Sequence, residues 1–367
     1  MYLHQKNNWT DFIWDTEEVT PLLADVRHLQ GKLLGKMEAL GFDLGEESSF
    51  ESLVMDVVGS SKIEGEDLNM AEVRSSVARR LGMQIPDAGP VGQRVELVVE
   101  MMLDATQNFQ QPLDDERIFG WHNCLFPTGK SGMYTIQVGQ YRDDTAGPMA
   151  VVSGPMGKER VHYVAPAGER LQEEMAAFLK WFNTDQGLDP VLKSAVAHFW
   201  FVTIHPMDDG NGRISRAIGD MQLARSENST KRFYSMSQQI ERDKKAYYTI
   251  LEQVQKEVKD FTAWVVWYLN CFKTALAATD QNLAKVLKKA EYWQVHRNKQ
   301  LNDRQLKMVN NLHDDFFGKL TSQKWAKICE CHQNTAIRDI DDLITKGMLM
   351  KEEAGGRSTN YALRFPS

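Results

Sequence analysis

The sequence has little of what marks secreted, membrane-spanning or nucleic-acid-binding proteins. Its four cysteines form neither a C-x-x-C pair nor a zinc spacing, which favours reduced thiols over a disulfide framework. The most apolar long run, residues 261–272, is too short to span a bilayer, and residues 1–14 have no signal-peptide core. The net charge of −7 disfavours general affinity for nucleic acid. We therefore expect a cytoplasmic protein with no membrane segment.

The pattern of apolar residues indicates a mainly α protein with more than one domain. The 367 residues leave room for two or three domains, and helical spacing of apolar residues recurs along most of the chain. A connector rich in proline and glycine at residues 84–92 predicts one boundary. A second boundary is expected near residue 279. We therefore predict an N-terminal helical extension at 1–90, a core domain at 91–278 and a separate unit at 279–367.

One stretch, residues 205–216, concentrates groups that suit phosphate chemistry. It reads HPMDDGNGRISR and follows an apolar helical run that ends at His205. Pro206 stops that helix, because the residue before a proline avoids helical geometry. His205 is the group in this stretch that can exchange a proton near neutral pH.

The glycines of the same stretch predict an anion-binding loop. Gly210 and Gly212 bracket Asn211, and glycines let the backbone turn so that several N–H groups point into one concavity. A helix follows, and a helix N-terminus also favours phosphate.

Charged side chains complete the pattern. Arg213 and Arg216 are three residues apart, so both lie on one helix face and can reach bound phosphates. Asp209 can supply an oxygen ligand for Mg²⁺. A loop between two helices with a capping aspartate and solvated arginines is the simpler interpretation. The combination of base, metal ligand, glycine nest and two arginines outweighs it.

This stretch resembles the signature of the Fic family, H-P-F-x-[DE]-G-N-G-R-x-x-R. The departure is Met207, which stands where the family has phenylalanine, and we expect its apolar side chain to be buried as well. The resemblance implies a helical Fic core with a β-hairpin flap. It also implies transfer of AMP from ATP to a serine, threonine or tyrosine hydroxyl of a target protein, including self-modification.

The resemblance further implies a role for each residue of the stretch. His205 would remove the hydroxyl proton, and Asp209 would hold Mg²⁺. Asn211 and the N–H groups around Gly210 and Gly212 would bind the α- and β-phosphates. Arg213 would bind the outer phosphates, and Arg216 would either do the same or pair with an inhibitory glutamate.

A candidate for that glutamate lies in an earlier helix, at about residues 50–66. Leu53, Val57, Ser60 and Glu64 share one face of this helix, which starts apolar and ends in a hydroxyl and a carboxylate. Taken alone, Glu64 could be a solvated residue at a frayed helix end. However, the segment SSKIEG resembles the Fic inhibitory motif [ST]-x-x-x-E-[GN], which implies that Glu64 pairs with Arg216 and blocks productive placement of ATP.

Two further regions have expected roles at the site. Residues 137–166 predict a β-hairpin, and the family flap implies that Val161, His162 and Tyr163 hold a target segment by strand addition. The helix at 244–268 carries Tyr247, Tyr248 and Gln255. These residues could border an adenine pocket, although core tyrosines are an equally good interpretation.

The C-terminal unit resembles a winged-helix domain, with three helices and a hairpin tipped by Gly355-Gly356-Arg357. DNA binding would require a basic third helix. The predicted helix is acidic instead, and we therefore expect a protein contact or homodimer rather than DNA binding. The predicted third helix carries two basic residues, Arg338 and Lys346, and three acidic residues, Asp339, Asp341 and Asp342.

Two other functions use the same residues. Glu64 could orient a water molecule that hydrolyses AMP from a modified protein, which would make the protein a de-AMPylating phosphodiesterase. Alternatively, the chain could be a winged-helix regulator whose Fic core senses a nucleotide. The intact His205 argues against a catalytically inactive sensor.

Overall fold

Helices dominate the computed structural model, with a few short β-hairpins, as the sequence predicts. It describes the chain except for residues 40–41, 86–87, 146, 156, 258–259, 314–315, 317, 353–358 and 366–367. Contacts divide the chain into two compact units, Met1–Thr279 and Asp280–Ser367. No helix in the described ranges is both long and apolar enough to cross a membrane.

The secondary structure consists of α-helices, short strands and 3₁₀ turns. In chain order, the helices of the first half are α1 (Thr16–Ala39), α2 (Phe42–Ile63), α3 (Met70–Leu81), α4 (Gln93–Gln107), α5 (Asp115–Leu125), α6 (Leu171–Asn183) and α7 (Pro190–Ile204). Those of the second half are α8 (Asn211–Glu227), α9 (Met236–Arg242), α10 (Lys244–Glu257), α11 (Thr262–His296), α12 (Asp303–His313), α13 (Ser322–Ile328) and α14 (Gln333–Thr345). The strands are β1 (Lys130–Ser131), β2 (Tyr134–Thr135), β3 (Ala150–Ser153), β4 (Arg160–Val164), β5 (Leu349–Lys351) and β6 (Tyr361–Leu363). Short 3₁₀ turns lie at Leu3–Gln5 and Gly168–Arg170.

The centre of the first unit is α7, which packs along α8. Every side chain of α7 from Val191 to Ile204 is buried, as expected for a helix that is apolar on all faces. Asp189 caps its N-terminus by accepting a hydrogen bond from the Val191 amide at 2.8 Å. Ser194 ties the two helices together, since its hydroxyl donates to the Gly219 carbonyl of α8 at 2.8 Å. Residues 205–210 form the loop between these two helices, and residues 211–216 form the first turns of α8; together they are called the 205–216 loop.

A buried ion network fixes α2 against this centre. The Arg232 guanidinium lies 2.8 Å from Asp220 of α8 and 3.5 Å from Asp56 of α2, and all three side chains are buried. Burial raises the pKa of both carboxyls, and Arg232 opposes that shift. The backbones of α2 and α9 also approach each other closely at Gly59, because a Cβ on this residue would lie 2.8 Å from the Gln238 backbone nitrogen of α9. The helix predicted to be inhibitory is therefore anchored deep in the unit.

The predicted flap is the antiparallel pair β3–β4, whose register shifts between Val151 and Val152. One face of it is fastened to the unit through Tyr163, which is buried and donates its hydroxyl to the Thr203 carbonyl at 2.7 Å. The N-terminal segment supports this contact, because the rings of Tyr2 and Tyr163 pack edge to face at 5.3 Å between centroids. A second, smaller hairpin, β1–β2, lies next to the 205–216 loop.

The second unit has its own apolar core around Tyr292, Trp325 and Ile340. Three helices, α12 to α14, precede the antiparallel pair β5–β6. This order is the one that a winged-helix domain requires, and the assignment remains a prediction. The predicted hairpin tip at Gly355-Gly356-Arg357 lies outside the described residues.

Part of the negative charge expected on the third helix of this unit, α14, belongs to a buried aspartate. Asp339 is buried and pairs with Arg304 at 2.8 Å, so it does not contribute to the outer surface. Asp342 pairs with Lys346 at 2.5 Å on the same helix. The outer face of α14 is therefore less acidic than the sequence alone suggests.

Removal of the buried Arg232 guanidinium should strongly lower the stability of the first unit. We expect Arg232→Met to lower the free energy of unfolding by about 3–5 kcal/mol, because Asp56 and Asp220 lose their partner in the core. Urea titration followed by circular dichroism measures the difference. Arg79→Met is the matched control, since Arg79 is mostly exposed beside Glu96 and its loss should cost less than about 1 kcal/mol. Equal losses in the two variants would contradict the assignment.

Candidate active site

The 205–216 loop begins with a sharp turn at His205. This residue ends α7 in the left-handed conformation, with φ 53° and ψ 57°, and its amide donates to the Phe201 carbonyl at 3.0 Å. Pro206 follows and prevents a further helical turn. His205 is partly buried at this turn.

The imidazole is held in one tautomer. Nδ1 of His205 lies 3.1 Å from the Val202 carbonyl oxygen, which can only accept, so the neutral ring carries its proton on Nδ1. Nε2 is then the proton acceptor. Burial lowers the pKa of His205 to about 4, and the nearby Arg142 acts in the same direction. The ring is therefore neutral at pH 7 and able to act as a base.

Asn211 holds the loop closed. Its side-chain oxygen accepts from the Met207 amide at 2.9 Å, and its side-chain nitrogen donates to the Met207 carbonyl at 2.8 Å. Each bond uses one lone pair of the amide oxygen or one of the two N–H groups of the amide nitrogen. The backbone N–H of Asn211 also lies in the first turn of α8, where an anion can bind, and its role toward phosphate stays a prediction. Met207 is fully buried, as expected for the residue in place of phenylalanine.

Arg142 clamps the loop from the other side, and the sequence analysis did not identify it. Its Nε donates to the His205 carbonyl at 2.8 Å, and its backbone amide donates to the Pro206 carbonyl at 2.9 Å. Nη1 binds Asp144 at 2.7 Å, and Nη2 donates to the Pro166 carbonyl at 2.6 Å. Arg142 lies more than 60 residues before the loop, and no local sequence motif predicts its role. Its contacts with the loop form only when the chain has folded.

Asp209 lies at the mouth of the loop with 43% of its side chain exposed. One carboxylate oxygen accepts from the Gly210 amide at 2.5 Å, and the other accepts from the Ser131 hydroxyl of β1. Among the described residues, no group of three or more histidine, cysteine, aspartate or glutamate side chains is arranged as a metal cage. A single exposed carboxylate nevertheless fits Mg²⁺, which keeps several waters and takes the rest of its ligands from substrate phosphates.

The first turn of α8 brings two cations to the same place. Gly210 precedes the helix with φ 83°, and Arg213 and Arg216 are both buried along its first two turns. Within the described part of the chain, Nε of Arg213 and Nη1 of Arg216 are buried without a hydrogen-bond acceptor. Two unsatisfied guanidinium donors beside a helix N-terminus fit a polyanion.

Glu64 makes the contact that the inhibitory motif implies. Its carboxylate lies 2.8 Å from Nη2 of Arg216, whose Nε and Nη2 also bind the hydroxyl and the carbonyl of Ser60 at 3.0 and 2.9 Å. Burial lowers the pKa of Arg216, but Glu64, together with Tyr247 and Tyr248, acts against burial, and the pKa of the guanidinium is raised. The predicted frayed end is absent, because Ser60 and Glu64 together hold the arginine.

The end of α2 has the geometry of a Schellman cap. Gly65 has φ 81°, its amide donates to the Lys62 carbonyl at 3.0 Å, and the Glu66 amide donates to the Ser61 carbonyl at 3.0 Å. Glycine is the residue that adopts this conformation without strain, which explains its place after Glu64. The cap therefore fixes the backbone of Glu64 and Glu66 together.

A second carboxylate, not predicted from the sequence, holds the other signature arginine. Oε2 of Glu66 lies 3.0 Å from Nη1 of Arg213, and Oε1 lies 2.8 Å from Nη2 of Arg94 in the first turn of α4. The Arg213 side chain is only 4% exposed, and its guanidinium stacks over Phe126 with 5.0 Å to the ring centroid. Glu66 lies beyond the recognised motif, and only its spacing of two from Glu64 could have drawn attention to it.

The residues expected to border an adenine pocket separate into two groups. Tyr247 is buried and its hydroxyl lies 2.9 Å from Nε2 of His198, and Gln255 is buried with its amide 3.2 Å from the Thr203 hydroxyl. Both side chains are buried, and Tyr247 lies next to Arg216, which lowers the pKa of its hydroxyl against the larger effect of burial. A contact of either residue with a nucleotide stays a prediction. Tyr248 is 40% exposed, and its hydroxyl lies 3.5 Å from Glu64. Of the three, Tyr248 is at the edge of the candidate site.

The three flap residues also differ in their surroundings. Val161 is exposed, which suits contact with a target. His162 bonds Glu252 of α10 at 2.6 Å through Nδ1. The Tyr163 side chain is buried against the unit and anchors the flap, and strand addition through its backbone stays a prediction.

Comparison with known proteins gives the class. The Fic/DOC family profile matches residues 112–223, and a domain of unknown function, DUF4172, matches residues 2–83. A Fic family protein from Desulfovibrio desulfuricans has a similar fold, with a TM-score of 0.53 at 18% identity over 96% of this chain and 97% of that one. Fic-1 from Caenorhabditis elegans reaches a TM-score of 0.50 at 19% identity over 73% and 76%. The chain therefore contains a Fic domain, with the Fic fold.

Curated relatives match a shorter segment. Protein adenylyltransferase fic-1 from Caenorhabditis briggsae is 37% identical over 65 residues, which are 17% of this chain and 12% of the relative. Protein adenylyltransferase Fic from Drosophila grimshawi is 41% identical over 66 residues, or 17% and 14% of the two proteins. The match thus spans about one seventh or less of these relatives, and what they do as whole proteins remains a proposal for this chain.

The protonation of His205 can be tested without any substrate. We expect the ring to titrate with a midpoint near pH 4 and to carry its proton on Nδ1 when neutral, because burial disfavours the charged form. Folding stability should fall as the pH drops from 6.5 towards 4, since the unfolded state then binds the proton first. NMR titration of ¹⁵N-histidine-labelled protein measures the titration midpoint and shows which ring nitrogen carries the proton. The His205→Gln variant assigns the His205 signals. A midpoint near 6.5 would contradict the burial of the ring.

Proposed function

We propose that the protein is a protein adenylyltransferase, which transfers AMP from ATP to a hydroxyl side chain of a target protein and is restrained by Glu64. The observation that supports this most is the meeting of a neutral His205 with buried Arg213 and Arg216 at the N-terminus of α8. The adenylyltransferase names of the matched relatives favour the same reaction. A serine, threonine or tyrosine side chain is the acceptor class that His205 could activate.

The proposed reaction needs little covalent chemistry from the protein. Nε2 of His205 takes the proton of the acceptor hydroxyl as the oxygen attacks the α-phosphorus of ATP. The bond between the α-phosphorus and the bridging oxygen breaks, and pyrophosphate leaves. The N–H groups at the start of α8 and the two arginines stabilise the charge that develops on the phosphates. The loop bonds of Asn211 and Arg142 keep these groups in place.

Asp209 is the residue that would hold Mg²⁺, together with the oxygens of the bound nucleotide. The ion would supply charge neutralisation at the phosphates. The Ser131 hydroxyl and the Gly210 amide orient the Asp209 carboxylate towards the mouth of the loop.

Other parts of the proposal concern partners and organisation. We place the inhibitory extension at 1–90, the catalytic domain at 91–278 and a winged-helix domain at 279–367. Self-modification and a homodimer belong to the proposal, as does a cytoplasmic location without a membrane partner. DNA is not expected to be a partner, and a gel shift with residues 1–367 would test the alternative of a nucleotide-sensing regulator.

Removal of the base should abolish transfer. We expect His205→Ala to lower the rate by about 10²–10⁴-fold, because the acceptor proton then has no base. ATP binding should be largely kept, since the phosphate contacts come from other residues. A single-turnover assay with α-³²P ATP measures the rate, and His28→Ala, an exposed histidine on α1, is the control. Undiminished transfer would remove His205 from the mechanism.

Removal of the inhibitory carboxylate should have the opposite effect. We expect Glu64→Gly to raise labelling from α-³²P ATP by roughly 10²-fold, most visibly as self-modification, because freeing Arg216 lets the α-phosphorus align. Glu51→Gln, on the same helix and far from the loop, is the control. Equal labelling of variant and wild type would mean that the pair with Arg216 does not restrain the reaction.

The same variant addresses AMP removal as a second candidate. Glu64 is 29% exposed beside the start of α8, where it could orient a water molecule. Loss of AMP removal in Glu64→Gly, measured on a protein that already carries labelled AMP, would favour that function, because a catalytic glutamate would then have been lost. Removal of AMP from a modified protein by the wild type would give the direct measurement.

A further inference from the structure

We infer that Glu66 occupies an anion subsite formed by Arg213 and Arg94, that an outer phosphate of the nucleotide competes with Glu66 for it, and that Arg94 is therefore a further phosphate-binding residue. The inference rests on the proposed function in that ATP is taken as the ligand. It differs from the restraint by Glu64, which concerns Arg216. The evidence is the position of one carboxylate between two guanidinium groups.

The contacts of Glu66 are those of an anion in a binding site. Its two oxygens bind two different arginines, with 3.0 Å to Arg213 and 2.8 Å to Arg94. A carboxylate and a phosphate both present oxygens that accept from guanidinium groups in this way. A phosphate group that replaced the carboxylate would meet the same two arginines.

Arg213 cannot turn away from this position. Its side chain is 4% exposed and its guanidinium is stacked over Phe126. Its Nε is buried with no hydrogen-bond acceptor among the described residues, so Glu66 satisfies only part of the donor set. A tetrahedral phosphate has more oxygens to offer than the carboxylate that now fills the site, and it carries more negative charge.

Arg94 is placed to serve the subsite rather than its own helix. It lies in the first turn of α4, where a cation faces the positive end of the helix dipole and gains nothing from it. The Arg94 side chain is 61% exposed, and Glu66 is its ion-pair partner. If Glu66 moves aside, Arg94 remains free to contact the incoming phosphate.

The cap at the end of α2 links the two carboxylates. Glu64 and Glu66 are fixed by the same Schellman turn, in which the Glu66 amide bonds the Ser61 carbonyl at 3.0 Å. Each carboxylate faces a different arginine of α8. The turn thus places one carboxylate against each of the two signature arginines.

Equilibrium binding tests the subsite without turnover. All proteins are the full chain with His205→Ala, titrated with ATP, ADP or AMP in the presence of Mg²⁺ by calorimetry. We expect Glu66→Gln to tighten ATP binding about fivefold, the size of one partly exposed ion pair, and to leave AMP binding unchanged. Adding Arg94→Gln to Glu66→Gln should remove that gain. Glu51→Gln, which removes the ion pair between Glu51 of α2 and Arg74 of α3, is the matched control and should change nothing.

Several results would overturn the inference. These are an unchanged ATP affinity in Glu66→Gln, an equal gain for AMP, which lacks outer phosphates, and full retention of the gain after Arg94→Gln. Failure of the proposed function looks different. If ATP affinity responds as expected while protein with an intact His205 transfers no AMP, the subsite stands and the adenylyltransferase does not. If the protein transfers AMP but its ATP affinity does not change in Glu66→Gln, the adenylyltransferase stands and the subsite does not.

Discussion

Neutralisation of the arginines at the start of α8 is the constraint on which the arrangement of the site depends. Two buried guanidinium groups beside a positive helix end would repel each other without anions. Glu64 and Glu66 supply the negative charge, at 2.8 and 3.0 Å from Arg216 and Arg213. The substrate proposed for this site brings its own negative charge. Folding and the proposed binding of ATP would therefore use the same two arginines.

The depth of α2 limits how this exchange can occur. Asp56 shares Arg232 with Asp220 in the core, and Gly59 lies against the α9 backbone, so the body of the helix cannot leave without exposing a charge and a cavity. Its last turn is different, since the helix ends at Ile63 and a glycine cap follows. Motion confined to that cap would release both arginines while the anchor stays. A restraint built in this way is local and reversible within one folded protein.

Local sequence patterns predicted the loop and the helices on either side of it. They did not predict contacts between residues that are far apart in the sequence. The end of α7 at His205, the helix from Asn211 and the facing of Glu64 follow from proline, glycine and helical spacing. Arg142 and Glu66 act through partners 63 and 147 residues away, and no spacing rule reports such pairs. The sequence also could not show that Tyr247, Gln255 and Tyr163 have buried side chains. Their polar groups bond His198, the Thr203 hydroxyl and the Thr203 carbonyl, respectively. Burial of a side chain is a property of the packed unit and not of a local pattern.

Gly212 gives the restraint a trace in the sequence itself. A Cβ at this position would collide with Oε1 of Glu64 and lie 3.2 Å from Nη1 of Arg216. The second glycine of the signature is thus demanded by the restrained state as well as by a bound anion. Related chains that lack the glutamate are relieved of one of these two demands. The restraint thus depends on a residue that carries no functional group, because a side chain at position 212 would meet the Glu64 carboxylate.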